Sequence, residues 1–369
     1  MKVLTVFGTR PEIIRLSRII PLLDQHCDHV TVHTGQNYEE SLSDLFLREL
    51  EVRTPNVSLG VRATSFADQA AKILTGVDEV LATEKPDRVL ILGDTNSALS
   101  AIVAARRGIP VFHMEAGNRC YDDRVPEEIN RRIVDHSSTV LLPYTERSKE
   151  NLVREGIERD RIYVTGNPIN EVLTHYDPQI EASSVLGKLE LTRDEFFLVT
   201  LHRSENVDEP ERLSRLLQSL SSVAESFSAP MVISVHPRTA QKLEKFGLSP
   251  ESSRVRLLSP LGFFDFVKLE KSARLVLSDS GTVQEECSIF GVPNVTLRDV
   301  TERPETIECG SNILTGSSPE EIVRASRIAL ETSASWLAPE EYRASDVSRT
   351  IAKIVLGHLS LRRHGGDSA

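Results

Sequence analysis

Apolar and polar positions alternate along the chain with two different periods. Short runs of consecutive apolar residues, such as those in KVLTVFG and DRVLILGD, are separated by longer segments in which apolar residues recur every three or four positions. The short runs predict strands buried on both faces, and the longer segments predict amphipathic helices. The repeated strand–helix order predicts parallel sheets flanked by helices, which is an α/β fold.

This alternation weakens once, at about residues 168–194, and restarts with FFLVTLHRSEN. A chain of 369 residues is long enough for two domains. We therefore predict two doubly wound α/β domains, over residues 1–170 and 171–337. A last helical segment, at about 338–361, is predicted to pack back on the first domain, and the terminal RRHGGDSA is predicted to be a frayed tail.

Composition narrows the class of protein. Hydrophobic residues make up 40% of the chain and charged residues 26%, which is typical of a globular enzyme. No apolar run has the roughly 20 residues of a membrane span, and the N-terminal run lacks a signal-peptide cleavage site, so we predict a cytoplasmic protein without a membrane partner. The net charge of −11 argues against nucleic-acid binding. The four cysteines form no C-x-x-C pair, so the sequence signals neither a metal site nor a disulfide framework.

Polar residues follow most of the predicted strands, where open α/β sheets bind their ligands. The first such loop, GTRPE, lacks the G-x-G-x-x-G fingerprint of dinucleotide folds. It places Arg10 and Arg15 near a predicted helix N-terminus, which favours anions, with Thr9 as a cap and Pro11 in the first turn. The other polar strand ends lie at 93–94, 113–115, 202–205, 236–238 and 279–286. Together they predict an anion site.

Two of these segments have a structural interpretation beside the functional one. In SDSGTVQEE, the Ser-Gly-Thr turn can bind a phosphate or a ribose hydroxyl, or Thr282 and Glu285 can form an ordinary capping box. In HMEAGNRCYDDRVPEEINRR, Glu128 is best interpreted as one half of an exposed i,i+4 pair with Arg132. Glu115 does not fit that interpretation, because it ends a buried strand, where a carboxylate is costly unless it is paired or proton-active.

Seven motifs give a more specific indication. They are GTRPE at 8–12, GDTNS at 93–97, HMEAGNR at 113–119, PEEINR at 126–131, HRSEN at 202–206, SDSGTVQEE at 278–286 and ERPE at 302–305. In this order, and over about residues 1–330, the chain resembles the non-hydrolysing UDP-N-acetylglucosamine 2-epimerases. The resemblance implies two Rossmann-like domains in a GT-B-type arrangement, a UDP-sugar in the interdomain cleft, no cofactor, a homodimer and a role in polysaccharide biosynthesis.

The resemblance also implies roles for individual residues. It assigns Asp94, Glu115 and Glu127 to chemistry at the sugar, and we predict His202, which it places beside the UDP portion, as a fourth catalytic residue. The residues that it places around UDP or its pyrophosphate are Arg10, Arg15, Phe266, Ser280, Gly281, Thr282, Glu286 and Arg303. Arg15 stands where many relatives have Lys, and Thr282 where many have a second Gly.

The resemblance leaves more than one substrate open. The regulated hexosamine epimerases carry Gln-His-Arg-Glu after the second strand, whereas this chain has TGQNYEES at 34–41. The sequence of residues 112–136 is more similar to the branch that makes UDP-N-acetyl-L-fucosamine. We predict interconversion of UDP-N-acetylglucosamine and UDP-N-acetylmannosamine, with the 6-deoxy sugar as the alternative. The alternative of another class is a GT-B glycosyltransferase that uses a UDP-sugar.

The chemistry of C2 inversion favours elimination. A C2–H beside an acetamido group is not acidic, so the enzyme must either oxidise a neighbouring carbon or expel the C1 substituent while the proton leaves. Oxidation needs a bound nicotinamide, for which the fingerprint is missing. Loss of UDP to give a 2-acetamidoglycal, followed by re-addition, needs only carboxylates near C2 and cations near the diphosphate.

Overall fold

The computed structural model of the protein describes residues 1–36, 40–332 and 336–357, with no description of the side chains at 40–42. The strands are β1 (Lys2–Phe7), β2 (Asp28–His33), β3 (Val57–Ser58), β4 (Arg88–Leu92), β5 (Val111–Met114), β6 (Val140–Leu142), β7 (Phe197–Leu201), β8 (Met231–Val235), β9 (Val255–Leu258), β10 (Leu275–Ser278), β11 (Asn294–Thr296) and β12 (Asn312–Leu314).

Helices connect these strands. They are α1 (Arg10–Leu16), α2 (Ile20–His26), α3 (Glu40–Glu49), α4 (Phe66–Glu84), α5 (Ser100–Arg106), α6 (Pro126–Ser137), α7 (Glu146–Arg154), α8 (Ile169–His175), α9 (Asp177–Glu181), α10 (Val185–Lys188), α11 (Ser204–Val207), α12 (Pro210–Ser226), α13 (Pro237–Phe246), α14 (Phe263–Ser272), α15 (Gly281–Phe290), α16 (Pro304–Glu308), α17 (Pro319–Glu331) and α18 (Val347–Leu356). Short 3-10 turns lie at Asn96–Leu99, Arg159–Arg161 and Glu340–Arg343.

The chain divides into two compact units. Unit 1 contains Met1–Thr174 and Glu341–Ala369, and unit 2 contains His175–Glu340. Within the described residues each unit has one six-stranded sheet, in the orders β3-β2-β1-β4-β5-β6 and β12-β11-β10-β7-β8-β9, and all the pairings are parallel. The prediction of two doubly wound α/β units is confirmed.

The core of unit 1 follows from the two periods in the sequence. All five residues of β4 are buried, as a strand covered on both faces requires. On α4, Ile73, Val77 and Leu81 recur at i, i+4 and i+8 and pack in one cluster with Leu4 and Val6 of β1. Each such side chain contributes about 1.5–3 kcal/mol when it is fully removed from water. This packing holds β1 in the middle of the sheet.

Unit 2 repeats this arrangement around β7. Leu216 and Leu220 of α12 pack against the core strands, and the register pairs Thr200 of β7 with Ser278 of β10, whose hydroxyls lie 2.6 Å apart. On α15, the Ser288 carbonyl accepts a hydrogen bond of 3.1 Å from the indole Nε1 of Trp336. From β7 the chain adds β8 and β9 on one side of the sheet and then β10, β11 and β12 on the other side. The carboxyl ends of β7 and β10 therefore lie side by side at a topological switch point.

The C-terminal segment differs from the single helix predicted at 338–361. Its described part is a 3-10 turn at Glu340–Arg343 followed by α18, and residues 358–361 lie outside the described residues. The interruption coincides with Asp346, whose φ of −121° and ψ of 33° are not helical. In unit 1, α18 packs against α2, and the Arg88 guanidinium donates to the Gly357 carbonyl at 2.8 Å.

The segment IYVTGN at 162–167 has the β-branched composition that predicts a strand, but Ile162 makes only an isolated bridge to Leu141 among the described residues. The predicted tail RRHGGDSA, and residues 37–39 of the TGQNYEES segment, lie outside the described residues. None of the helices in the described ranges is long and apolar enough to cross a membrane.

Candidate active site

The loops that follow β1 and β4 are joined by one buried carboxylate. Glu12, in the first turn of α1, accepts hydrogen bonds from the backbone N–H groups of Gly8 at 2.9 Å and Thr9 at 2.7 Å. Its other oxygen accepts from the Thr95 hydroxyl at 3.1 Å. Glu12 therefore ties the loop before α1, whose first residue is Arg10, to the loop at the end of β4, as expected for neighbouring strand ends.

Glu115 lies directly after β5 and is 8% exposed. Its carboxylate forms an ion pair of 3.1 Å with the Arg15 guanidinium and accepts from the Asn118 amide at 3.3 Å. Arg15 was expected near the start of α1, but it lies in the last turn, where its guanidinium stacks on the Tyr144 ring. The two predicted site residues, 100 positions apart, are thus direct partners, and the carboxylate is paired as its burial requires.

Asp94 follows β4 and is partly exposed. Both Nε and Nη2 of Arg131, on α6, lie 2.8 Å from Asp94 Oδ2. The Asn130 side chain donates to the backbone carbonyl of Asp94 at 3.0 Å. Glu127, in the first turn of the same helix, is half-buried. The structure thus attaches Asp94 directly to the helix that carries Glu127.

Glu128 corrects one prediction. It was expected to form an exposed helical pair, but it is fully buried. The backbone N–H groups of Cys120 and Tyr121 each donate to it at 3.1 Å, and Arg131 lies 2.6 Å away, while Arg132 approaches only to 3.4 Å. Burial alone would raise the pKa of this carboxyl, but the Cys120 N–H and Arg131 hold its pKa below the usual value. Glu128 therefore fixes the loop to the start of α6.

In unit 2, His202 is held by a buried aspartate. Its Nδ1 lies 3.0 Å from Asp279 Oδ1, and Asp279 also accepts from the backbone N–H groups of His202 and Arg203 and from the Asn206 side chain. Burial acts to raise the pKa of Asp279, but the His202 charge and these hydrogen bonds lower it to about 2. With Nδ1 engaged in this way, Nε2 is the ring nitrogen oriented for a ligand.

Ser280 caps α15, and Gly281 is its first residue. A Cβ at Gly281 would lie 2.8 Å from Glu302 Oε1, so a larger residue here would displace the end of the Glu302 side chain. The capping box proposed for Thr282 and Glu285 is wrong, because the N-cap is Ser280, two residues before Thr282, and Glu285 is buried in an ion pair with Arg303. The turn remains an N-terminus with backbone N–H groups for an anion.

The remaining predicted residues surround α15. Arg303 precedes α16 and is bound through Nε to Glu285, so its charge is held against the helix. Glu286 is 3% exposed, and burial together with the Glu286 charge raises the pKa of Glu270 on α14 well above its usual value. Phe266, also on α14, is half-buried against the apolar cluster that includes Val283.

The acidic partners of the two histidines at strand ends were not predicted. Asp279 holds His202, and Asp135 on α6 binds His113 on β5 at 2.8 Å. Local sequence patterns did not indicate these pairs, because Asp279 is 77 positions from His202 and Asp135 is 22 positions from His113. Within the described residues, no group of three or more His, Cys, Asp or Glu side chains is placed to hold a metal ion.

The lowered pKa of Asp279 predicts how the free energy of unfolding depends on pH. Because its folded-state pKa is lowered from 3.8 to about 2, ionised Asp279 stabilises the fold above pH 4, and this contribution is lost as pH falls through 2. The free-energy gap between wild type and Asp279→Asn should therefore narrow by about 2 kcal/mol between pH 6 and pH 2. Urea unfolding of both proteins over this range measures the gap. A gap that stays constant with pH would contradict the assignment.

Comparison with known proteins identifies the family. A family model described as UDP-N-acetylglucosamine 2-epimerase matches residues 23–356. The UDP-N-acetylglucosamine 2-epimerase of Methanocaldococcus jannaschii is 41% identical over 353 residues, which cover 92% of this chain and 95% of the relative. A crystal structure of the M. jannaschii enzyme in complex with UDP-GlcNAc and UDP matches with a TM-score of 0.92 and 40% identity, covering 96% of this chain and 99% of that one.

Two further similarities concern substrate and fold. The UDP-2,3-diacetamido-2,3-dideoxy-D-glucuronate 2-epimerase of Pseudomonas aeruginosa is 36% identical over 335 residues, covering 89% of this chain and 92% of the relative. WaaG, a glycosyltransferase involved in lipopolysaccharide biosynthesis, is 15% identical with a TM-score of 0.60, covering 97% of this chain and 100% of that one, so it shares the fold alone. The resemblance drawn from the seven motifs is confirmed, and the chain belongs to the UDP-N-acetylglucosamine 2-epimerase family.

Proposed function

We propose that the protein interconverts UDP-N-acetylglucosamine and UDP-N-acetylmannosamine by inverting C2 of the sugar. The observation that carries the proposal is Glu115, a buried carboxylate at the end of β5 that is held by Arg15. A carboxylate fixed at a strand end suits proton transfer, because ligands of such sheets bind there. Similarity to the M. jannaschii enzyme, which was crystallised with UDP-GlcNAc and UDP, supports this choice of substrate.

The reaction proceeds by elimination and re-addition. A base removes the C2 proton, and the C–H electron pair forms a C1=C2 double bond. The bond from C1 to the diphosphate oxygen breaks, and its electron pair leaves with UDP, which gives a 2-acetamidoglycal. A proton is then delivered to the opposite face of C2, and the diphosphate oxygen adds back to C1. No net oxidation occurs, so no redox cofactor is required.

The residues divide into two roles. Asp94, Glu115 and Glu127 in unit 1 are proposed for proton transfer at C2. Arg131 holds the first of them through two nitrogens at 2.8 Å, which fixes its position. His202, fixed by Asp279, is proposed to donate to the leaving diphosphate through Nε2.

The UDP portion is proposed to bind to groups of both signs. In unit 2, the N-terminus of α15 at Ser280, Gly281 and Thr282 offers backbone N–H groups to a phosphate. Buried Glu286 is proposed to accept hydrogen bonds from the ribose hydroxyls, and Phe266 is proposed to contact the uracil ring. Arg303 and, in unit 1, Arg10 and Arg15 are proposed to supply positive charge to the diphosphate.

Solvent exchange tests the mechanism. In D2O, the purified protein with UDP-N-acetylglucosamine alone should give UDP-N-acetylmannosamine that carries deuterium at C2, because the proton removed exchanges with solvent before re-addition. NMR of the sugar measures both the configuration and the label. Product that keeps all its C2 protium would contradict elimination, and no product at all would contradict the substrate.

Two alternatives are separated by the same assay. The similarity to an epimerase of a diacetamido sugar favours a test of other UDP-2-acetamido sugars, including the 6-deoxy precursor of UDP-N-acetyl-L-fucosamine. A glycosyltransferase would leave the UDP-sugar unepimerised when no acceptor is added.

The homodimer and the cytoplasmic location also stay predictions. Light scattering of the purified protein measures the oligomeric state.

A further inference from the structure

His113, on β5, lies between two hydrogen-bond acceptors. It is 1% exposed, its Nδ1 lies 2.8 Å from Asp135 Oδ1, and its Nε2 lies 2.8 Å from the backbone carbonyl of Gly93. A carbonyl oxygen can only accept, so Nε2 must carry a proton. The state of Nδ1 then depends on Asp135.

Asp135 is an ionised acceptor. It is fully buried and accepts from the Gly117 N–H at 3.2 Å, and the Arg119 guanidinium lies 2.8 Å away. The Gly117 N–H and the Arg119 guanidinium are both donors, so these two contacts stabilise the charged carboxylate independently of His113. A carboxylate without a proton cannot donate to Nδ1, so Nδ1 must donate as well. The hydrogen-bond pattern therefore requires both ring nitrogens of His113 to be protonated.

The surrounding charges compensate this cation. Arg119 also pairs with Glu155, at the end of α7, at 2.6 Å, and the Glu155 carboxylate lies 3.8 Å from the exposed ring of His136. Protonated His113 and Arg119 thus face Asp135 and Glu155, two charges of each sign. Balanced and hydrogen-bonded charges of this kind are tolerated in a protein interior.

The two partners of His113 connect it to the loops that carry the predicted carboxylates, although Asp135 itself lies on α6. Gly93 immediately precedes Asp94, and Asp135 binds Gly117, two residues after Glu115. We propose that His113 is a positioning residue, a buried imidazolium that holds the Asp94 loop and the Glu115 loop in the geometry required for C2 epimerisation. The part of this proposal that concerns epimerisation rests on the proposed function, whereas the protonation and the loop contacts do not.

His29 offers a matched comparison on β2. Its Nδ1 lies 2.6 Å from Asp24 Oδ1, as in the His113 pair, but its Nε2 lies 2.8 Å from the hydroxyl of Thr5. A hydroxyl can donate, so a neutral imidazole satisfies both contacts. Burial, the largest influence, lowers the pKa of His29, which also favours the neutral ring.

Nitrogen NMR of the ligand-free protein tests the charge. With ¹⁵N-labelled histidine at about pH 7.5, both ring nitrogens of His113 should give the shifts and bonded protons of an imidazolium, whereas His29 should be neutral. His113→Gln and His29→Gln assign the two signals by their loss. A His113 ring with one unprotonated nitrogen would overturn the proposal, whether or not the protein is an epimerase.

Kinetics tests the positioning role. His113→Gln should lower kcat by about 10²-fold, the loss expected when reacting groups move by about 1 Å, with KM and UDP affinity nearly unchanged. His29→Gln should keep the wild-type kcat. An equal loss in both variants, or a His113→Gln loss confined to KM, would overturn positioning. If wild type shows no epimerisation, the proposed function fails, and the NMR result still decides the charge.

Discussion

Glu115→Gln should lower epimerase turnover by at least about 10²-fold, because proton transfer by one positioned group contributes roughly 10²–10⁴-fold. An amide can neither remove the C2 proton nor return it. The substitution also leaves the Arg15 guanidinium, 3.1 Å away in wild type, without its carboxylate. Breaking a buried pair in this way costs about 3–5 kcal/mol, so turnover must be measured well below the unfolding temperature of the variant.

Two variants separate chemistry from stability at this position. Glu115→Asp keeps the charge beside Arg15 but withdraws the carboxylate by one methylene, so it should unfold nearer to wild type and still lose turnover. Asp123→Asn removes an exposed carboxylate from the same charged stretch, where its side chain is 70% exposed, and should be unaffected. A folded Glu115→Gln protein with near-wild-type turnover would remove Glu115 from the chemistry.

Gly117→Ala should destabilise unit 1 by roughly 2–5 kcal/mol. Gly117 has φ of +81°, and an added Cβ would lie 2.2 Å from the backbone oxygen of Ser148. A left-handed backbone costs an L-residue about 1–2 kcal/mol, and an overpacked contact costs about 1–3 kcal/mol more. Thermal and urea unfolding measure the change.

Gly108→Ala is the matched control. Gly108 has a similar φ of +71°, but no atom lies within 4 Å of its added Cβ. It should therefore lose only the backbone contribution of about 1–2 kcal/mol. Equal losses in the two variants would show that the contact with Ser148 relaxes without cost, and that Gly117 is required for its φ alone.

The general architecture could be predicted because it depends on local patterns. Consecutive apolar residues such as VLIL predict a strand that is covered on both faces. VLIL lies in β4, which is buried at every position. The short strands β3, with two residues, and β12, with three, were not predicted. IYVTGN has the composition of a strand and runs beside β6, where the Tyr163 N–H donates to the Leu141 carbonyl at 2.9 Å, but only Ile162 forms a bridge. Composition alone did not indicate how short this pairing is.

The candidate site was predictable in its members but not in its partners. Motifs singled out Glu115 and Arg15, yet nothing local indicated that they form an ion pair. Glu128 is a second example. Its i,i+4 spacing to Arg132 predicted an exposed side chain, whereas the side chain is buried and bound by the backbone N–H groups of Cys120 and Tyr121. Contacts made by loops that return from elsewhere in the chain have no periodic signature, so burial of a charged residue there is known only from the fold.

Trp336, the single tryptophan of the chain, makes fluorescence a selective probe of one half of the protein. Its indole is bonded to the Ser288 carbonyl of α15, the helix whose first residues are proposed to bind phosphate. Emission therefore follows the melting of unit 2, whereas circular dichroism sums both units. A chain with two cores need not melt in one step, and the two signals separate if it does not. Damage to unit 1, such as that expected from Gly117→Ala, would then be silent in the emission and visible only in the dichroism.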